Sequence, residues 1–151
     1  MDRNTFRLTG LIPAVFTPLD SAGKLNLEVV GPVTDRLVSE GVAGLYICGS
    51  TGEGPLLSRE ERLATAEAYI QAAAGRIPAV VQVGHHSIRE AQLLAEHAQA
   101  QGADAISAIP PAYFKPASLE ILVASLAEIA RAAPELPFFY YHIPRVTGVE
   151  V

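Results

Sequence analysis

The sequence predicts an α/β fold built on a parallel sheet, and three observations lead there. Residues 11–16, 44–48, 79–83, 105–109 and 138–141 are short runs, apolar with little alternation. Strands that read this way are buried on both faces, as in a parallel sheet covered by helices. Helical patterns of ordinary length, with start and stop signals, lie between consecutive runs. This β-α order, repeated four times and closed by a fifth strand, implies right-handed crossovers and parallel pairing. A (β/α)8 barrel in its N-terminal part and an open doubly wound sheet both satisfy it, and spacing does not separate them.

The first strand, 11–16, leads to a helix over residues 27–40 that contains Pro32. Proline has no N–H to donate and collides with the preceding turn, so a late start or a kink is expected there. The second strand, 44–48, runs directly into Gly49-Ser50-Thr51-Gly52-Glu53-Gly54. Ser58-Arg59-Glu60-Glu61 is a capping box, with Ser58 as cap and Glu61 answering it, opening a helix to about Ala74 before Gly75. After the third strand, 79–83, Ser87-Ile88-Arg89-Glu90 repeats the box, and its helix ends near Gln101 with Gly102 as C-terminal glycine. The fourth strand, 105–109, precedes a helix that starts at Ser118, runs through Leu122, Leu126 and Ile129, and is stopped by Pro134. Residues 138–141 form the fifth strand, giving five strands and four helices with no linker or second domain.

At 151 residues the chain is one domain's worth, and 50% hydrophobic with 18% charged residues is a globular composition. The net charge of −5 and the lack of a basic run argue against a nucleic-acid or anionic-membrane partner. A single cysteine, Cys48, leaves no internal disulfide and no cysteine metal cluster, and its apolar run makes it a buried thiol. No run approaches the length of a membrane span, and Met1-Asp2-Arg3-Asn4 lacks a signal-peptide core, so a cytoplasmic protein is expected.

In parallel β/α folds, ligands sit at the carboxyl ends of strands. The glycines of 49–54 let the backbone turn tightly and approach a ligand, while Ser50, Thr51 and nearby N–H groups can hold an anion. The same pattern also describes a turn whose hydroxyls satisfy the backbone. Glu53 is expected to brace the loop through backbone hydrogen bonds. Tyr141, at the end of the fifth strand, is either a proton relay or a core tyrosine, and alternation turns Tyr140 to the opposite face. Pro110-Pro111-Ala112-Tyr113-Phe114 after the fourth strand suits a lid, a subunit contact or plain loop packing. Gly84-His85-His86-Ser87 has adjacent histidines and no carboxylate cluster, so a metal is not expected.

These motifs resemble the dihydrodipicolinate synthase/N-acetylneuraminate lyase family of pyruvate-dependent class I aldolases. The likeness runs from Gly10-Leu11-Ile12-Pro13-Ala14-Val15-Phe16-Thr17-Pro18 through the loop at 49–54 to the last residue. Tyr140-Tyr141-His142-Ile143-Pro144-Arg145-Val146-Thr147-Gly148-Val149 is most similar to the N-acetylneuraminate lyase branch. The resemblance implies a (β/α)8 (TIM) barrel, with residues 1–151 as a partial barrel domain carrying strands one to five. It implies a carbon–carbon lyase acting on pyruvate and a sugar acid through a lysine Schiff base, without a cofactor. By the matching motifs, Thr51 and its neighbouring N–H groups, Gly52 among them, hold the pyruvate carboxylate. Ser50 orients substrate or relays a proton, and Tyr141 shuttles a proton at the imine. Tyr113 matches a tyrosine that reaches into a neighbour's site, which implies a homo-oligomer in the full-length form.

Two departures follow. The synthase branch carries an arginine two positions after the proline of the tyrosine segment, where this sequence has Val146, with Arg145 one earlier. That favours a sugar-acid lyase or another 2-keto-acid aldolase over dihydrodipicolinate synthesis. The family's Schiff-base lysine lies on the sixth strand, past Val151, and the lysines present are Lys24 and Lys115. The expectation is a truncated barrel that is inactive alone. The alternatives are a non-catalytic barrel fragment that binds a small 2-keto acid and an open-sheet phosphate-binding domain.

Overall fold

In the computed structural model, which describes residues 6–151, four parallel strands form one sheet. They are β1 (Leu45–Ile47), β2 (Ala79–Gln82), β3 (Ala105–Ala108) and β4 (Phe138–Tyr140), and their spatial order is their order in the chain. Register runs Leu45 to Ala79, Val80 to Ala105 and Ile106 to Phe138 across successive pairs. The helices α1 (Val30–Ser39), α2 (Arg59–Ala73), α3 (Ile88–Ala100) and α4 (Leu119–Arg131) pack each against the next. An open doubly wound sheet reverses its strand order at a switch point. No reversal occurs here, and the successive, singly wound arrangement is that of a barrel wall. The N-terminal residues Met1-Asp2-Arg3-Asn4, read above for a signal peptide, lie outside the described residues.

The expected first strand, residues 11–16, is not a regular strand. It runs beside β1 through Ala43 N–H to Leu11 O (2.8 Å), Tyr46 N–H to Pro13 O (2.9 Å) and Val15 N–H to Tyr46 O (3.0 Å), leaving one parallel bridge, Ala14 to Tyr46. Extending that ladder back to Ile12 requires an N–H from Pro13, which has none. The helix count also changes. A four-residue helix, α5 (Pro144–Thr147), follows β4, starting on a proline suited to a first turn and stopping at Gly148 with φ +63°.

Local rules explain the other elements. A 3-10 turn, Leu27–Val29, precedes α1, so the late start is real, and Pro32 falls in the first turn of α1, where its missing N–H has no intrahelical role. The Ser58 box is complete: Ser58 Oγ accepts from Glu61 N–H at 3.2 Å, and Glu61 Oε2 accepts from Ser58 N–H at 2.8 Å. The Ser87 box is only half made. Ser87 Oγ accepts from Glu90 N–H at 3.4 Å, but Ser87 N–H goes to His85 Nδ1 at 2.9 Å. The Glu90 carboxylate instead takes a bidentate contact from Arg59 of α2, at 2.5 and 2.6 Å. The charged fork-on-fork pair outcompetes a neutral amide donor.

Strand alternation divides the packing. Leu45, Ile47, Val81 and Ile106 enter a large core shared with Tyr69, Leu94 and Ile129 of the helices. Val80 and Ala105 face the other way, in a small cluster with Phe6 and the half-buried Leu8, Tyr46 and Phe139. Among the described residues, no helix is long and apolar enough to cross a membrane.

Candidate active site

Residues 48–54 leave β1 through two non-glycine residues in the left-handed region, Cys48 at φ +57° and Glu53 at φ +52°. The glycines here serve close approach rather than positive φ. A Cβ on Gly49 would lie 2.7 Å from the Tyr46 ring, and one on Gly52 would lie 2.9 Å from Val15 O. At Gly54 a Cβ would fall on the Cys48 carbonyl. Thr17 Oγ1 ties the loop back by donating to Gly52 O at 2.6 Å. Glu53 does brace the turn, but with its own main chain: its N–H donates to Ser50 O (3.0 Å) and its carbonyl accepts from Leu56 N–H (2.8 Å). Its side chain is exposed and makes no hydrogen bond to a described residue.

The loop closes one side of a cavity of about 130 Å³ that Ser50, Thr51, Tyr46, Gln82, Tyr141 and Val146 help to line. Ser50, Thr51 and Tyr141 thus come together, although they lie far apart in sequence. None of their three hydroxyls bonds to another described residue, nor do the N–H groups of Ser50 and Thr51. These donors at a strand's carboxyl end form an anion-receptive edge. Gly52 does not line the cavity; it serves loop closure. Tyr141 is 44% exposed, and its N–H donates to Ala108 O at 2.9 Å, which extends the β3–β4 pairing. Tyr140 packs against the helix-side core, as alternation requires.

Tyr46 was not singled out by the sequence, yet it is central here. Its ring lies 5.5 Å from that of Tyr141, and its hydroxyl donates to Ser107 Oγ at 3.2 Å. Burial pushes its phenol up to about 12, against the opposing pull of the Ser107 hydrogen bond. Tyr46, Gln82 and Ser107 are the polar members of apolar runs, and each sits on the alternation phase opposite the helix-side core. That phase was the readable signal. Arg62 was also missed. It is 3% exposed, and α2 carries it on the same face as Thr65, Ala66 and Tyr69.

Other candidates lie apart. Tyr113 and Phe114 are 77% and 83% exposed, stacked edge to face at 4.8 Å, and neither lines the cavity. Lys24 and Lys115 do not line it either. The Lys115 ammonium lies instead against Gly148, beyond α5. Cys48 is buried, and burial pushes its thiol up to about 11, away from nucleophilic use.

Residues 7–151 match the Dihydrodipicolinate synthetase family. The chain is 46% identical to N-acetylneuraminate lyase A of Xenopus laevis over 95% of its own length and 48% of that protein's. It is 44% identical to the human N-acetylneuraminate lyase, over 96% of its own length and 46% of the relative's. Among solved structures, Proteus mirabilis N-acetylneuraminate lyase superposes with a TM-score of 0.93 at 36% identity, covering 97% of this chain and 49% of that one. The native N-acetylneuraminate lyase (sialic acid aldolase) of Aliivibrio salmonicida gives 0.92 at 42% identity, covering 97% and 48%. The chain spans about half the length of the curated relatives it matches.

Proposed function

Because it matches that family over residues 7–151, this chain belongs to the dihydrodipicolinate synthetase family, and we propose that it supplies the carboxylate-binding and proton-transfer part of an N-acetylneuraminate lyase-like aldolase. The observation that carries this reading is that Ser50, Thr51 and Tyr141 line one cavity, with the N–H groups of Ser50 and Thr51 bonded to no described residue. A 2-oxo acid fits such a site through its carboxylate, which accepts hydrogen bonds from Thr51 and the loop N–H groups.

The reaction then needs an amine that condenses with the 2-oxo carbon, releasing water and leaving a protonated imine. The imine takes up the electron pair of the breaking carbon–carbon bond. Tyr141 shuttles the proton at that centre, and Ser50 orients it or relays the proton. Since neither Lys24 nor Lys115 lines the cavity, we place the amine on a further strand of the same barrel, to which residues 1–151 contribute one part. Val146 presents an apolar group to the cavity and Arg145 does not line it, which favours a sugar acid over a second carboxylate as the remainder of the substrate. Tyr113, which is exposed and does not line the cavity, is assigned to contact with another copy in a homo-oligomer.

The test is borohydride reduction of the full-length enzyme with pyruvate, followed by intact mass and peptide mapping. One reduced adduct on a lysine other than Lys24 and Lys115 is expected. An adduct on either of those two, or none at all, overturns the reading.

A further inference from the structure

We propose that Tyr46 is a positioning residue of the candidate site, whose ring fixes where the Tyr141 side chain stands relative to the Ser50–Thr51 turn. The chemical consequence rests on the aldolase reading; the placement itself rests on geometry. Tyr141 has little else to hold it. It is 44% exposed, and its hydroxyl bonds to no described residue. Its aromatic neighbour among the described residues is Tyr46, with ring centroids 5.5 Å apart and planes inclined at 38°. A phenol at a strand end without such a neighbour would sample several staggered side-chain wells. A proton-transfer group cannot be left to do so, because a misplacement of about 1 Å can cost about 10²-fold in rate.

Tyr46, by contrast, is tied on every side. Its N–H donates to Pro13 O at 2.9 Å, its carbonyl accepts from Val15 N–H at 3.0 Å, and it pairs with Val80 in the β1–β2 register. Its hydroxyl passes over β2 and donates to Ser107 Oγ on β3 at 3.2 Å. Ser107 is buried, and the next residue, Ala108, accepts the Tyr141 N–H at 2.9 Å. Both partners of the ring contact are therefore fastened to adjacent residues of one strand. The turn is fitted to the same ring: a Cβ on Gly49 would lie 2.7 Å from Tyr46 Cε1 and 2.8 Å from Cδ1, so the first residue of the turn packs against it with no room to spare. One ring thus touches the turn that carries the unbonded N–H groups and the tyrosine that carries the unbonded hydroxyl, and it lines the same cavity as both. Tyr46 does not compete for the shuttle role. Burial holds its phenol at about 12, and its proton is given to Ser107.

The placement is read from the Hα–Hβ couplings of Tyr141 in NMR spectra of the 151-residue chain. Couplings of a single side-chain well are expected in the unaltered chain and averaged ones in Tyr46→Leu, while Tyr46→Phe, which keeps the ring and loses only the bond to Ser107, should stay close to the unaltered pattern. Should Tyr46→Leu fail to fold, Gly49→Ala, which pushes the same ring from the turn side, decides by the same couplings. Averaged couplings in the unaltered chain, or unchanged couplings in the variant that decides, overturn the proposal. The consequence is read in the assembled barrel. Tyr46→Leu should lower kcat about tenfold to a hundredfold with KM for pyruvate little changed, Tyr46→Phe should recover most of that loss, and Tyr46→Leu/Tyr141→Phe should be no slower than Tyr141→Phe alone. Additive losses in the double variant, or a raised KM with kcat unchanged, show that Tyr46 does not act through Tyr141 and overturn the proposal. If the couplings respond as expected but Tyr141→Phe leaves turnover unaltered, the aldolase reading falls and the placement of Tyr141 by Tyr46 stands.

Discussion

The two faces of the sheet use the same strands for opposite purposes. Leu45, Ile47, Val81 and Ile106 point to the helices and are sealed in an aliphatic core. Their immediate neighbours Tyr46, Gln82 and Ser107 turn the other way, joined by Tyr141 beyond β4, and place three hydroxyls and an amide on the opposite face. The helix face is closed by elements of this chain. The other face opens into the Ser50–Tyr141 cavity and a neighbouring apolar hollow of about 350 Å³ that reaches Leu8 and Phe139. A period of two residues therefore separates the sealed core from the candidate site along each strand.

Substitutions on each face should read out different quantities. Under the proposed aldolase reading, Tyr141→Phe should cost the turnover of the assembled barrel about 10²- to 10⁴-fold, the range for losing a positioned proton donor. Its melting temperature should stay near that of the unaltered protein. A drop in stability comparable to the activity loss would erase the distinction between the faces. Ile106→Ala, on the closed face, should destabilise by about 2–5 kcal/mol in denaturant unfolding, from lost burial and the cavity left behind. Tyr46→Phe removes one hydrogen bond on the open face and should cost only about 0.5–1.5 kcal/mol.

Gly49→Ala sharpens the comparison, because its Cβ would enter the space of the Tyr46 ring. The expected penalty is about 1–3 kcal/mol of overpacking, together with a changed Tyr46–Tyr141 contact visible in the ring proton shifts. The smallest effect is in pH. Burial raises Cys48 from 9.0 to about 11 and Tyr46 and Tyr69 from 10.0 to about 12. These groups stay neutral in the fold at pH values where the unfolded chain would ionise. Their stabilising contribution is thus complete below about pH 9 and declines as pH rises, from Cys48 first and then the two tyrosines. Unfolding free energies measured from pH 8 to 11 should fall over that range, and a flat profile would contradict the burial of these three groups.

The β-α order, the Ser58 cap and the glycine-rich turn were legible because each depends on neighbours in sequence. Strand order was not: apolar runs look alike in a barrel and in a doubly wound sheet, and only the successive pairing of β1 to β4 separates them. Pro13 thinned the first strand through one missing donor, which the apolar character of residues 11–16 concealed. The Ser87 box failed because Arg59, on a different helix, competes for Glu90. At the site, Ser50, Thr51 and Tyr141 were read from strand-end positions and motif likeness, while Tyr46 and Arg62 were missed. Both are polar groups whose surroundings are set by segments distant in sequence, Ser107 and Tyr141 for Tyr46, and Gln82 and Gly84 for Arg62.

The most direct test of the division between faces is a pyruvate titration of the 151-residue chain, followed by amide and aromatic NMR shifts. Saturable changes at the Ser50 and Thr51 amides and the Tyr141 ring, weakened at least about tenfold by Thr51→Val, with Leu45, Val81 and Ile106 unmoved, are the predicted result. Absence of saturable change at those three residues, or equal response from the helix-facing core, would contradict it.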